Sequence, residues 1–167
     1  SAHAGAEGFL WLGAAFGGQG NYYRYNIALN TIDLVVSTQL PPGAAHWNNM
    51  ATDGEFLYIG NPTANYVGVC DILTGALLSS HNYLPAMTGH AEDGAYNPHT
   101  GTIWRATFAA GHLHEIQVPA AIIRTYTGLP GNVLGIEWVE GELFATDYSG
   151  GQFARITLNP NDTATFT

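Results

Sequence analysis

The sequence predicts an all-β fold made of four similar units. Three short apolar or aromatic runs, separated by turn-forming residues, recur along the chain with a period of about 40–47 residues. Glycine is abundant, at 21 of 167 residues, and sits in Asn-, Thr- and Pro-containing turns. No stretch of useful length places apolar residues at the three-and-four spacing of a helix. Strands joined by tight turns are the consequence.

The second unit shows the pattern most clearly. Phe56–Gly60 and Tyr66–Ile72 are apolar or β-prone runs, and the turn-forming segment Asn61–Asn65 lies between them. Thr74-Gly75 then turns the chain into a third strand at Ala76–Ser80. Each of the other three units contains an equivalent aromatic or apolar first run and a second run that ends in a polar residue followed by Ile.

The segments between the units predict a fourth, inner strand for each one. These segments are Ala45–Thr52, Gly89–Tyr96 and Val133–Val139, and residues 1–8 look like a shortened version of them. Units of this length with four strands are typical of the blades of a β-propeller. We therefore expect a single β-propeller-like domain over residues 1–167, with repeats at about 1–41, 42–85, 86–130 and 131–167.

The segment Leu57–Leu77 resembles a blade of the YVTN/NHL-type propeller repeats. It has a strand, an Asn-rich turn, a strand that ends in Asp71, a Thr74-Gly75 turn and a further strand. The resemblance implies a propeller fold. The family contains lyases, lactonase-like enzymes, quinoprotein relatives and pure binding modules, so the resemblance by itself does not single out a function.

The charge composition excludes several partners. The chain has no lysine, four arginines and thirteen acidic residues, with a formal net charge of −9. Nucleic acids and anionic membranes are bound through clusters of cations, which this sequence lacks. No run of about 18 apolar residues predicts membrane insertion. Charged residues make up only 10% of the chain, which favours a secreted protein or one that buries surface in an assembly.

Closed propellers contain about four to eight blades, so four is the smallest number expected to close a ring. The sequence leaves open how the outer faces of the first and last blades are covered. It is compatible with a closed four-bladed ring, a partial propeller completed by self-association, or a polymer. The last segment, residues 157–167, alternates Thr with Ala and Phe. We expect it to close the first blade or to pair with another subunit, and the sparse charge favours a homo-oligomer or filament. A further alternative is a fragment of a longer propeller.

Two groups of residues are candidate ligands for a divalent metal. His46, His90, Glu92 and Glu137 lie on the predicted inner segments, where a propeller lines its central channel, and such residues bind metals or act as acid and base. His112 and His114 are two residues apart on a strand and therefore share a face. The alternative for both groups is that they are ordinary polar residues, and then no cofactor is expected.

Several aromatic residues are candidate binding residues. Tyr22, Tyr25 and Trp47 would form a surface for stacking on carbohydrate or a cell-surface ligand, or else a subunit contact. Cys70, the single cysteine, is predicted to be a buried thiol. Asn161 begins a glycosylation sequon, and Ala2-His3-Ala4 has the small-x-small form found near signal cleavage sites.

These features predict a secreted, microbial, non-enzymatic propeller-like protein. It would act by binding or as a scaffold that self-associates, as a homo-oligomer or an extracellular filament subunit. The alternative is a metal-dependent propeller enzyme of the lyase or lactonase type.

Overall fold

The computed structural model describes residues 2–5, 8–13, 20–38, 49–61, 66–83, 87 and 90–167, with residues 2–5, 49, 50, 61 and 90–92 described for the backbone alone. Every regular element within these ranges is a β-strand. None of the described segments forms a helix long and apolar enough to cross a membrane. The sixteen strands form four separate four-stranded antiparallel sheets.

The first two sheets follow the chain as simple meanders. The first blade contains β1 (Ala2–Gly5), β2 (Phe9–Gly13), β3 (Asn21–Asn26) and β4 (Thr31–Ser37). The second blade contains β5 (Asn49–Thr52), β6 (Phe56–Asn61), β7 (Tyr66–Asp71) and β8 (Leu77–Asn82).

The other two sheets repeat this arrangement. The third blade contains β9 (His90–Asn97), β10 (Thr102–Phe108), β11 (His112–Gln117) and β12 (Ala121–Tyr126). The fourth contains β13 (Val133–Val139), β14 (Glu142–Asp147), β15 (Gln152–Leu158) and β16 (Ala164–Phe166). The four blades are arranged as a β-propeller, so the predicted fold class is confirmed.

Aspartate side chains shape the turns between strands. In the second blade, Asp71 Oδ1 accepts hydrogen bonds from the backbone amides of Leu73 and Thr74 at 3.0 and 2.7 Å, and from the Thr74 hydroxyl at 2.8 Å. Gly75 follows with a φ of 72°, a conformation that glycine adopts without steric cost. Short polar side chains that bond their own backbone thus account for the Asp and Thr-Gly positions of the repeat.

Three hydrophobic clusters hold neighbouring blades together, one at each junction. Trp11, Tyr22 and Val36 of the first blade pack with residues of the second, including Cys70, which is fully buried and free as predicted. A second cluster joins the second and third blades, and the third and largest lies between the third and fourth blades. Each blade buries its apolar face only against its neighbour, as repeat architectures require.

The described residues show no fourth cluster between the first and last blades. The inner strands contact one another in the order β1, β5, β9, β13, and an extensive contact between β1 and β13 is absent from the described part of the chain. Val35 on the first blade and Phe153 on the fourth are 53% and 70% exposed. Within the part of the chain that the structure describes, the four blades therefore form an arc whose first and last blades each have an uncovered face.

The two ends of the chain differ from what their sequence predicted. Residues 164–166 form β16, which pairs with β15 and completes the fourth blade. The expectation that residues 157–167 close the first blade is therefore wrong, because β16 pairs within the fourth blade. Pairing of this segment with another subunit remains a prediction, since β16 is the edge strand of its sheet. Residues 1–8 are predicted to be a shortened inner segment, and within them residues 2–5 form β1, which pairs with β2 over four residues.

Candidate functional site

A cleft of about 380 Å³ lies on the open face of the fourth blade and reaches the inner strand of the third. Its lining combines two carboxylates, two phenyl rings and a backbone segment of β13. The lining residues are Asp93, residues 134–137, residues 144–146 and Phe153. A concave site lined by apolar side chains and a few polar groups is the usual form of a small-molecule site.

The two carboxylates come from adjacent inner strands. Asp93 on β9 is 3% exposed, and its Oδ2 accepts a hydrogen bond of 3.1 Å from the backbone amide of Ile136 on β13. Glu137, the next residue of β13, is half-buried, and its Oε1 accepts a hydrogen bond of 3.0 Å from the Trp138 amide. The bond between Asp93 and Ile136 holds the two inner strands together beside Glu137.

Gly135 provides the space between these carboxylates and the cleft. A Cβ atom at this position would lie 2.7 Å from Thr146 Oγ1 and 3.7 Å from Asp93 Oδ2. The first distance is shorter than carbon and oxygen atoms tolerate without movement. A side chain at position 135 would therefore displace Thr146 and fill the cleft next to Asp93.

Two stacked phenyl rings form the apolar wall. Phe144 on β14 and Phe153 on β15 have ring centroids 5.4 Å apart and planes that are 2° from parallel. Antiparallel register pairs Phe144 with Glu137 across β13 and β14, so the stacked pair and the carboxylate share one face of the sheet. This arrangement suits a small ligand with one apolar and one polar side.

The predicted metal-binding group of the channel is only partly described. His90 and Glu92 lie on β9 and Glu137 lies on β13, on neighbouring inner strands, and His46 lies outside the described residues. Among the described residues, no group of three or more His, Cys, Asp or Glu side chains converges as a metal site would require. The described side chains therefore do not form a complete metal site.

The second predicted group, His112 and His114, lies near the junction of the second and third blades. The two rings are on the same face of β11, 5.9 Å apart and nearly perpendicular. His114 is buried, its Nδ1 lies 2.9 Å from the Thr125 hydroxyl, and its Nε2 has no hydrogen-bond partner among the described residues. Burial, with smaller effects of His112 and Arg105, lowers the pKa of His114 to about 4. The ring is therefore neutral near pH 7.

The predicted aromatic surface is divided between the two faces of the first blade. Tyr22 is buried in the cluster with the second blade, at 2% exposed, and burial raises the pKa of its hydroxyl. Its expected role in stacking on an exposed ligand is therefore wrong. Tyr25 lies on the opposite, open face, and Trp47 is outside the described residues.

Sequence reasoning missed Asp93, Phe144 and Phe153 as cleft residues. Asp93 was one of several acidic residues on the inner segments, and nothing in its position singled it out. Phe144 occupies the position in its repeat that Trp11 and Trp104 occupy in theirs, and a large aromatic residue repeated at one position predicts blade-to-blade packing. Those two tryptophans are indeed buried, but Phe144 faces the open side of the last blade.

No protein-family model matches this sequence, and comparison with curated proteins finds no match. Solved structures do match. A glutaminyl cyclase of Myxococcus xanthus superimposes with a TM-score of 0.68 at 15% identity, covering 95% of this chain and 66% of that one. The fold is that of a β-propeller.

Two further structures agree with this fold. A streptogramin B lyase gives a TM-score of 0.64 at 17% identity and covers 99% of this chain. The calcium-binding protein regucalcin of Agrobacterium tumefaciens gives 0.60 at 17% identity and covers 87%. The chain spans 66% of the cyclase and 52% of each of these two proteins.

These comparisons correct the functional prediction. Two of the three similar structures are named as enzymes, a cyclase and a lyase, and none is named as a scaffold. The prediction of a non-enzymatic binding or scaffold protein is therefore wrong, and the alternative, a propeller enzyme, is better supported.

Proposed function

We propose that this chain is a propeller of the YVTN/NHL repeat type that acts as an enzyme of the lyase, lactonase or cyclase kind on a small molecule. The observation that carries the proposal is the cleft that unites Asp93 and Glu137 with the stacked rings of Phe144 and Phe153. The names of the similar structures support the reaction class, since cyclases and lyases form or break a bond within one molecule.

Glu137 is the proposed general acid–base group. It lines the cleft beside the apolar wall, and a carboxylate held next to apolar surface is suited to moving a proton to or from a bound substrate. The phenyl rings bind the apolar part of the substrate and orient it. Asp93 acts as a positioning residue, because its hydrogen bond to the Ile136 amide holds the strand that carries Glu137.

The test is turnover by the purified chain. N-terminal glutaminyl peptides, streptogramin B and small lactones represent the three reaction types. We expect turnover of at least one, reduced roughly 100-fold or more in Glu137→Gln, which keeps the shape of the side chain and removes its acid–base function.

Glu142→Gln is the matched control. Glu142 lies on the same face of the fourth blade, but it is exposed and paired with Arg155 at 2.8 Å. The control should retain wild-type activity. Full activity of Glu137→Gln, or no turnover of any of the three substrate types, would overturn the proposal.

The metal content of the same preparation tests whether the residues of the inner segments bind a divalent ion. His46, His90 and Glu92 join Glu137 as proposed ligands, and a His46→Ala, His90→Ala double variant should lose any stoichiometric divalent ion. Secretion, carbohydrate binding and glycosylation at Asn161 remain predictions from the sequence.

A further inference from the structure

The first blade has an apolar face that no described part of the chain covers. Two cross-strand rows form it, as the register of β2, β3 and β4 shows. These rows are Leu12–Tyr23–Val35 and Leu10–Tyr25–Ile32. Ile32 and Val35 are 52% and 53% exposed, and the other four residues are half-buried. We call these six residues the leading face.

The fourth blade has the complementary open face. The cross-strand rows Glu137–Phe144–Arg155 and Gly135–Thr146–Phe153 form it, with Val139 beside them. Phe153 and Val139 are 70% and 45% exposed. We call this set the trailing face. It carries the cleft, which is therefore open on the side where a further blade would stand.

The leading face is apolar, whereas the trailing face combines the apolar side chains of Phe144, Phe153 and Val139 with the polar residues Glu137, Thr146 and Arg155. At each of the three internal junctions, aromatic and aliphatic side chains of one blade pack on the next. Contiguous exposed apolar surface of this kind marks an interaction site in soluble proteins. The repeat geometry also indicates which partner would cover these faces, because the next position of the ring beside each face is the position of a further blade.

We propose that a second copy of this chain covers both faces, with the leading face of each copy packed on the trailing face of the other. A two-fold axis generates both junctions, as expected for a closed homodimer. Two copies supply about eight blades, the upper end of the range for closed propellers. Nearly the whole chain, 99% of it, spans 52% of the streptogramin B lyase, so two copies match the length of that propeller.

The dimer would complete the cleft. The partner's leading face would stand opposite Phe144 and Phe153 and close the open side of the site with aromatic and aliphatic side chains. This consequence rests on the proposed function, but the dimer itself does not. A dimer without any turnover would support the interface and contradict only the enzyme.

Native mass spectrometry and light scattering of the 167-residue chain over a concentration series test the interface. We expect a dimer for the wild type. Val35→Glu and Phe153→Glu each place a charge in both junctions and should raise the dimer dissociation constant roughly 30-fold or more. Leu78→Glu is the matched control, since Leu78 is 56% exposed on the outer strand of the second blade, away from both faces.

Mixing the Val35→Glu and Phe153→Glu variants distinguishes a dimer that packs leading face on trailing face from other dimers. In a mixed dimer of Val35→Glu with Phe153→Glu, one junction is wild type and the other carries both changes, so the mixture should dimerise more tightly than either variant alone. Unfolding midpoints of the variants establish that each is folded. A monomeric wild type, a dimer unaffected by both changes, or no gain on mixing would overturn the proposal.

Discussion

Asp93 Oδ2 lies 3.1 Å from the backbone nitrogen of Ile136 and joins the inner strands of the third and fourth blades. The two residues are 43 positions apart in the sequence. Asp93 is almost fully buried, so the bond operates where water does not compete. One side chain thereby connects the two blades that form the cleft.

Replacement of Asp93 by alanine should destabilise the protein by about 1–3 kcal/mol, because a buried hydrogen bond is lost and the Ile136 amide loses this acceptor. Urea unfolding measures the change. The control is Asp33→Asn, which alters the partly exposed ion pair with Arg24 at 2.8 Å and should cost clearly less, because solvent screens such pairs. Equal effects of the two changes would contradict the role assigned to Asp93.

Gly111 should tolerate alanine much less well than Gly151. The two glycines end equivalent turns of the third and fourth blades, with φ of 62° and 59°. A Cβ at Gly111 would lie 2.3 Å from the Leu129 carbonyl oxygen, whereas nothing lies within 4 Å of one at Gly151.

Gly151→Ala should therefore cost only the left-handed backbone strain, about 1–2 kcal/mol, and Gly111→Ala should cost clearly more. The difference in urea midpoint between the variants is the measurement. A smaller loss for Gly111→Ala than for Gly151→Ala would show that the backbone around Leu129 moves freely.

His114 should make stability depend on pH between about 6.5 and 4. Its folded pKa is lowered to about 4 from 6.5, so the unfolded chain binds the proton more readily in this window. Stability is unaffected by this group above about pH 6.5 and falls as the pH drops towards 4, by roughly 3 kcal/mol at most.

Urea midpoints at several pH values measure this dependence. In His114→Gln the stability should fall less between pH 6.5 and pH 4 than in the wild type, because the group that binds the proton in the unfolded chain is absent. An identical slope in wild type and His114→Gln would contradict the assignment.

Cys70 should be unreactive in the native protein. The side chain is fully buried between the first two blades, and burial raises its pKa to about 12. Because the thiolate is the reactive form, thiol reagents at pH 8 should modify Cys70 only after unfolding. Mass spectrometry with and without denaturant measures this, and rapid labelling of the folded chain would show that the junction opens readily.

The sequence was sufficient to predict four blades, because short apolar runs and turn-forming residues recur with a period of about 40–47 residues. Phe56–Gly60, Tyr66–Ile72 and the Thr74-Gly75 turn all appear at or next to the predicted positions. Such signals depend on neighbours within a few residues. The candidate site was harder to predict from the sequence, because it depends on contacts between strands that are distant in the chain.

Two examples show the physical reason. The register between β9 and β10 shifts between Ala106 and Thr107, so strict alternation along β9 does not predict which acidic residue, Glu92 or Asp93, reaches β13. Adjacent Tyr22 and Tyr23 are both aromatic, and only packing against the second blade determines which one is buried. Strand positions and turns were therefore determined by the sequence alone, whereas the tertiary structure decided which faces are covered, which carboxylates meet and where the arc stays open.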